Sequence, residues 1–397
     1  MNPDFDILVL GAGLVGASLA CALEDRGVRV GLVEASAPRQ APPGFDARKL
    51  ALAAASMHAL TALGVLGLAE PAPSPIRRIH VSRAGDFGSV RLRAVDSGRE
   101  SFGAVIAADA LGTALERRLS ALRDTTHLRP WTMAALRHGT DAIEVELHQG
   151  ASVKTVSARL LVAADGTHSA ARTALGIGVD EHDYGQVLLV GSLATDRPAD
   201  GTAYERFTAE GPIALLPMGD AYGAICAVAA ADAPHWIAMD DAEYAAAFQR
   251  RFGWRAGRVR RVGTRSAYPI RRVLAKQLHG PRAVLVGNAA QTIHPIGAQG
   301  FNLGLRDALT LAELLDDGDP GRPELLAAYA QARREDREST LAFSDGLAGL
   351  TSTPGLAARL LRSTGLVALA HIPGLSAPLV AGAMGYRGRV PRLAREP

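Results

Sequence analysis

The chain has 397 residues, 48% hydrophobic and 21% charged, the balance of a soluble globular enzyme with two packed lobes sharing one core. Its formal charge of +3 is carried by the tail after Tyr386, where Arg387, Arg389, Arg392 and Arg395 stand against Glu396. The remainder is close to neutral, which excludes the basic field a nucleic-acid groove requires. Cys21 and Cys226 are distant and set in apolar runs, so they read as reduced core thiols rather than metal ligands or a disulfide.

In chain order, residues 5–10 form a short apolar strand, followed by a glycine turn and a helix reaching about Arg26. Gly27 suits the left-handed position past a helix end. Residues 28–33 make a second buried parallel strand ending at Glu34. The apolar stretch 7–23 is no export signal: Asp4 and Asp6 stand where positive charge belongs, and three glycines interrupt it. A cytoplasmic location is expected.

Residues 36–44 read as a Pro/Ala-rich surface loop, 50–68 have helical apolar spacing, and a second helix is expected around 107–122. Between these helices, and again from 187 to about 268, the pattern is strand-like, as at 187–190 and 224–229. Residues 156–163 and 282–286 read as strands rejoining the first lobe. The expected fold class is α/β (α+β overall). A Rossmann-like nucleotide lobe (1–75, 101–180 and 269–345) carries an inserted, mainly antiparallel β substrate lobe (76–100 and 181–268). A C-terminal helical segment with a basic tail (346–397) follows.

Three motifs carry chemistry. In Gly11-Ala12-Gly13-Leu14-Val15-Gly16, Gly11 permits a tight turn, Gly13 lets the backbone approach a pyrophosphate, and Gly16 lets helix and strand pack closely. Glu34 is placed to accept hydrogen bonds from a ribose. The second motif, Asp165-Gly166-Thr167-His168-Ser169 with Arg172 shortly after, follows a strand and is also compatible with an ordinary turn. The third runs from Val286 through Gly287-Asn288-Ala289-Ala290-Gln291-Thr292-Ile293-His294-Pro295 to Ala298-Gln299-Gly300-Phe301-Asn302. There a buried strand enters a polar loop that opens a helix, offering N–H groups to a ring that gains negative charge on reduction. Asn288 can hydrogen-bond a polyol chain.

These motifs, in this order and spacing, resemble the flavoprotein hydroxylases of the para-hydroxybenzoate hydroxylase fold. Within them the chain is similar to the ubiquinone-biosynthesis hydroxylases over nearly its whole length. Asn288, where most of the superfamily has aspartate, is similar to the 2-polyprenyl-6-methoxyphenol hydroxylase branch. Further matching stretches are Phe45-Asp46-Ala47-Arg48, Tyr204-Glu205-Arg206-Phe207-Thr208, 211–217 and 266–269. The resemblance implies FAD held by Gly11, Gly13, Gly16, Glu34, Arg48, Asp165, Gly166, Gly287, Asn288, Pro295, Gly300 and Asn302. Arg48 would lie against the flavin, and the Asp165-Gly166 pair would serve FAD and the approach of NADPH or NADH. One departure stands out: family members read Gly-Gln-Gly where this chain has Ala298-Gln299-Gly300. If that position needs positive φ, alanine costs about 1 kcal/mol or more.

The implied activity is hydroxylation of the aromatic ring of a polyprenylated phenol by O₂, through a flavin C4a-hydroperoxide. His294 is the one candidate acid–base group, the competing reading being that it shapes the loop. No metal motif is present. A halogenase or prenyl reductase of the same fold and a non-catalytic flavin-binding scaffold are the alternatives, although Trp131, Trp236 and Trp254 lie in no halogenase W-x-W-x-I-P setting. Residues 363–386 contain no Asp, Glu, Lys or Arg, but Pro373, Pro378 and several glycines break the run. It reads as a surface-lying lid for a prenylated substrate, in peripheral contact with the inner face of the cytoplasmic membrane or with partners in a biosynthetic complex, or as an ordinary helical cover.

Overall fold

The structure is a computed structural model and describes residues 2–37, 48–352, 355–372, 374–375, 377–386 and 388–396. Strand Phe5–Leu10 pairs in parallel with Val30–Val33 on one side and with Ser152–Ala163 on the other. Ala283–Leu285 and Thr125–Leu128 extend this parallel sheet outward. Ile7, Leu8, Leu160, Leu161 and Val284 are fully buried, because both sheet faces are covered and continuous apolar runs satisfy both. Helix Leu14–Ala22 packs on the sheet and against helix Gln299–Leu314, so the glycine turn and the third motif meet.

Some elements differ from the sequence expectation. The first helix stops at Ala22, four residues early, because Asp25 (φ +58°) and Gly27 (φ +68°) both turn the chain through left-handed conformations. Residues 50–68 are not one helix. Lys49–Ala53 is a strand paired antiparallel with Gly103–Ala107, and the helix is Ala54–Ala62. There, pairing to a neighbouring strand overrides the local apolar period. From residue 38 onward, the loop expected at 36–44 lies outside the described residues.

The second sheet is mainly antiparallel. Its 17-residue central strand, Val179–Thr195, bonds to Ser266–Ala275 on one edge and Ala221–Ala229 on the other. Gly211–Met218, Thr202–Thr208, Arg78–Arg83 and Ser89–Arg93 continue it. The strand-like reading of 187–268 missed helix Asp241–Phe252, which buries Tyr244, Phe248 and Phe252 against one sheet face. Its signal was present in the sequence: Asp240 and Glu243 form a reciprocal capping box. Gln291–Thr292 pairs with Ser266–Ala275, fastening the third motif to this sheet.

Helices Pro323–Ser352, Leu356–His371 and Ala377–Ala383 close the chain. Among the described residues no helix is long and apolar enough to cross a membrane. Leu356–His371 docks on the Ser89–Arg93 strand, where Arg362 Nε donates to buried Asp86 at 3.1 Å.

Candidate active site

At the first glycine turn the backbone dictates the residues. Gly11 has φ +96°, and a Cβ there would lie 2.6 Å from the Ala164 carbonyl oxygen. A Cβ at Gly16 would lie 2.0 Å from the Gly11 oxygen. At Gly13 a Cβ would meet nothing within 4 Å, so that position faces open space. Gly13 caps helix Leu14–Ala22 without a side-chain hydrogen bond, which leaves the first helical N–H groups for an anion. Glu34 is fixed beside the turn: Oε2 accepts from the Ala12 N–H and Oε1 from the Ser36 N–H, both at 2.9 Å. Each oxygen keeps a further lone pair for a ribose hydroxyl.

The second motif sits beside the first, since the Ala164 N–H donates to the Leu10 carbonyl. Asp165 Oδ2 accepts from the Ala171 N–H at 3.0 Å, while Oδ1 is buried with no partner among the described residues. A buried acceptor without a donor is costly, and a ligand hydroxyl or N–H would satisfy it. Gly166 has φ +86°. Arg172, absent from the expected site, lies 94% buried and joins the motifs: it donates to the Thr167 and Ala289 carbonyls, each at 2.9 Å. Thr167 Oγ1 and Thr292 Oγ1 lie 2.8 Å apart. His168 is exposed.

The third motif is anchored by a residue the sequence did not single out. Buried Asp307 accepts from the Gly287 N–H (3.0 Å), Gln291 Nε2 (2.6 Å) and Arg333 Nε (2.7 Å). Gly287, at φ +61°, and Gly304 both abut Val15, so larger residues there would push the loop off the first helix. Asn288 is exposed on the loop surface. Gly297 (φ +70°) and Ala298 (φ +51°) turn the chain into helix Gln299–Leu314, which starts without a side-chain cap. Ala298 thus occupies a left-handed conformation, which favours glycine. A Cβ on Gly300, in the first turn, would meet nothing within 4 Å.

Asn302, expected to hold the cofactor, lines the adjoining cavity with its side-chain amide bound to protein backbone. Its Oδ1 accepts from the Ala53 N–H, and its Nδ2 donates to the Ala51 and Ala298 carbonyls, all at 2.9 Å. Committed to three backbone groups, the side chain is a strut between strand Lys49–Ala53 and the loop. His294 is likewise turned inward, 2% exposed, with Nδ1 accepting from the Ile296 N–H and its ring edge-to-face with Tyr184 at 4.7 Å. Its neighbours Pro295 and Ile296 line the adjoining cavity, and His294 does not. Arg48 carries a buried Nε with no hydrogen-bond partner among the described residues, its guanidinium 5.8 Å from the Tyr268 ring. Phe45, Asp46 and Ala47 lie outside the described residues.

That cavity, of about 600 Å³, is bounded by the loop from Pro295 to Gln299, by the face of the second sheet opposite helix Asp241–Phe252, and by helix Leu356–His371. Its lining is overwhelmingly apolar. Among the described residues no group of three or more His, Cys, Asp and Glu side chains could hold a metal.

The residues fit FAD. The open backbone at Gly13, the uncapped helix start, the unmet Asp165 Oδ1 and Arg48 Nε, and the exposed Asn288 supply what a phosphate, ribose, polyol and flavin ring require.

Comparison with known proteins agrees. The FAD binding domain family matches residues 4–344. The chain is 36% identical over 354 residues to ubiquinone hydroxylase UbiL of Rhodospirillum rubrum, covering 87% of this chain and 82% of that protein. It is 32% identical over 321 residues to the 3-demethoxyubiquinol 3-hydroxylase of Escherichia coli, covering 79% and 80%. The crystal structure of p-nitrophenol 4-monooxygenase PnpA from Pseudomonas putida superimposes with a TM-score of 0.79 at 18% identity, covering 98% of this chain and all of that one, a likeness of fold. The chain belongs to the FAD binding domain family and, within it, is an FAD-dependent hydroxylase akin to the ubiquinone hydroxylases.

Proposed function

We propose that this hydroxylase acts on the aromatic ring of a polyprenylated phenol in ubiquinone biosynthesis, with NADPH or NADH as reductant and O₂ as the oxygen source. The observation that carries this reading is the cavity. It is apolar, borders the flavin-binding loop, and its volume suits an aromatic head group rather than a long polyprenyl chain. The names of the relatives, ubiquinone hydroxylase and 3-demethoxyubiquinol 3-hydroxylase, support the same chemistry.

Bound FAD would supply the redox chemistry and the activation of O₂. Gly11, Gly13, Gly16, Glu34, Asp165 and Gly166 would hold its adenosine and phosphates. Arg48, Gly287, Asn288, Pro295 and Gly300 would hold its ribityl chain and ring, with Asn302 bracing the loop. The cavity's apolar walls would exclude water from the reacting ring. His294 keeps the loop in shape, because it faces Tyr184 rather than the cavity.

The prenyl chain would leave past helix Leu356–His371. Leu361 lines the cavity yet is 68% exposed, and Leu360, Val367, Ile372, Leu375 and Phe87 add exposed apolar surface near it. Such a rim suits a peripheral contact with the membrane holding the substrate. Flotation with phospholipid vesicles tests it: Leu361→Glu with Ile372→Glu abolishes co-flotation if this rim binds, and unchanged co-flotation rejects it.

The function itself is tested by mass spectrometry of quinones from cells lacking this gene. Loss of ubiquinone with one accumulated prenylphenol, reversed by the restored gene, is expected. Unchanged ubiquinone with no accumulated intermediate would overturn the reading.

A further inference from the structure

Strand Thr202–Thr208 turns alternate side chains toward the cavity: Ala203, Glu205 and Phe207. On the neighbouring strands Glu205 stands opposite Val81 and Ala214, and both also line the cavity. Tyr204 occupies the other phase, with its ring against His80 and Phe252. Glu205 is therefore a carboxyl whose cross-strand neighbours are both apolar. The other charged groups at the cavity wall are engaged. Arg306 donates through Nε (2.7 Å) and Nη2 (3.1 Å) to Asp336, which also faces Arg333. Arg83 and Arg362, the latter on the covering helix, both face Asp86.

Among the described residues no side chain pairs with the Glu205 carboxyl. Burial alone pushes its carboxyl up to about 7. An isolated carboxyl in an apolar wall costs the fold stability without a compensating partner, which is the mark of a group kept for a ligand. Its acidity also suits a group that takes and returns a proton near neutral pH.

We propose that Glu205 binds the ring hydroxyl of the substrate and serves as its proton acceptor during hydroxylation. The phenolic O–H bond breaks and its proton passes to a carboxylate oxygen of Glu205, while a ring carbon takes a hydroxyl group from the oxygen donor that bound FAD and O₂ would supply. The donor's O–O bond breaks, and its remaining oxygen takes up the proton that the ring carbon loses. The phenolic proton returns to the phenolate oxygen once the hydroxylated product has formed, so the residue is unchanged over the cycle. Negative charge on the phenolic oxygen enriches the ring carbons and favours electrophilic attack. This inference rests on the hydroxylase reading above.

The test uses FAD-loaded protein, Glu205→Leu and Glu205→Gln variants, and a short-chain prenylated phenol beside its methyl ether. Binding is followed by perturbation of the flavin absorbance, and ring hydroxylation by mass spectrometry. FAD content and melting temperature at or above wild type establish that each variant is folded. Wild type is expected to bind the phenol roughly 10- to 100-fold more tightly than the ether, and Glu205→Leu to lose that preference. For Glu205→Gln, kcat/KM is expected to fall about 100-fold or more and to lose the acid limb near pH 7. A variant pair keeping both the hydroxyl preference and the acid limb overturns the role of Glu205. A wild-type protein that shows the hydroxyl preference but hydroxylates no ring overturns the hydroxylase reading instead.

Discussion

Arg172 Nη1 donates to the carbonyl of Ala289 at 2.9 Å, across 117 positions of sequence. Through this bond and its partner to Thr167, a buried guanidinium joins the Asp165-Gly166 turn to the loop of the third motif. Each bond from a charged donor contributes about 1.5–3 kcal/mol. Arg172→Met should therefore loosen both loops together and lower FAD affinity by roughly tenfold or more. Fluorescence of FAD released on dilution measures this, and wild-type retention would show that the loops are held by other contacts.

Gly13 and Gly16 should respond differently to alanine. At Gly16 the added methyl meets the Gly11 oxygen at 2.0 Å, so Gly16→Ala should destabilise the protein even without cofactor, by several kcal/mol. At Gly13 the methyl enters open space, and φ is −63°, which any residue accepts. Gly13→Ala should leave the melting temperature of the FAD-free protein unchanged while weakening FAD. Equal losses of stability in the two variants would contradict the assignment of that space to a pyrophosphate.

Ala298 holds φ +51° at the start of helix Gln299–Leu314. Glycine relieves a left-handed backbone by about 1 kcal/mol. Ala298→Gly is expected to stabilise the folded protein by that amount in chemical denaturation. A destabilised variant would mean that the alanine methyl contributes packing that outweighs the strain.

The stability of the protein should carry the titration of Glu205. Its folded pKa of about 7 exceeds the ordinary 4.5, so between these values the folded state holds a proton that the unfolded chain has released. The stabilisation is fully present below about 4.5 and is lost as pH rises through 7. The loss is on the order of 3 kcal/mol. Denaturant unfolding of wild type and Glu205→Gln at pH 5 and pH 8 should show wild type alone losing this much. Parallel behaviour of the two proteins would place Glu205 in contact with water.

His294→Ala should keep bound FAD, since the ring faces Tyr184 and its own loop. Hydroxylation should decline only as far as the loop relaxes, with no change in the shape of the pH–rate profile. A lost pH limb in this variant, rather than in Glu205→Gln, would transfer the proton-accepting role to His294.

The sequence by itself determined the parallel sheet and the motifs at its strand ends. Gly11, Gly13, Gly16, Glu34 and the 286–302 segment are local motifs whose spacing follows from backbone geometry at strand ends and helix starts. The apolar runs at 5–10, 156–163 and 282–286 sufficed to place their strands in one sheet, because only a strand buried on both faces is apolar throughout. Tertiary structure alone decided the rest. Arg172, Asp307 and Asn302 act through partners as many as 251 positions away, and no local period records such a contact. Lys49–Ala53 became a strand only because Gly103–Ala107 lies beside it. Glu205 stands in a stretch quoted only for its resemblance, and its place in the cavity wall follows from strand pairing with Val81 and Ala214, which no local pattern records.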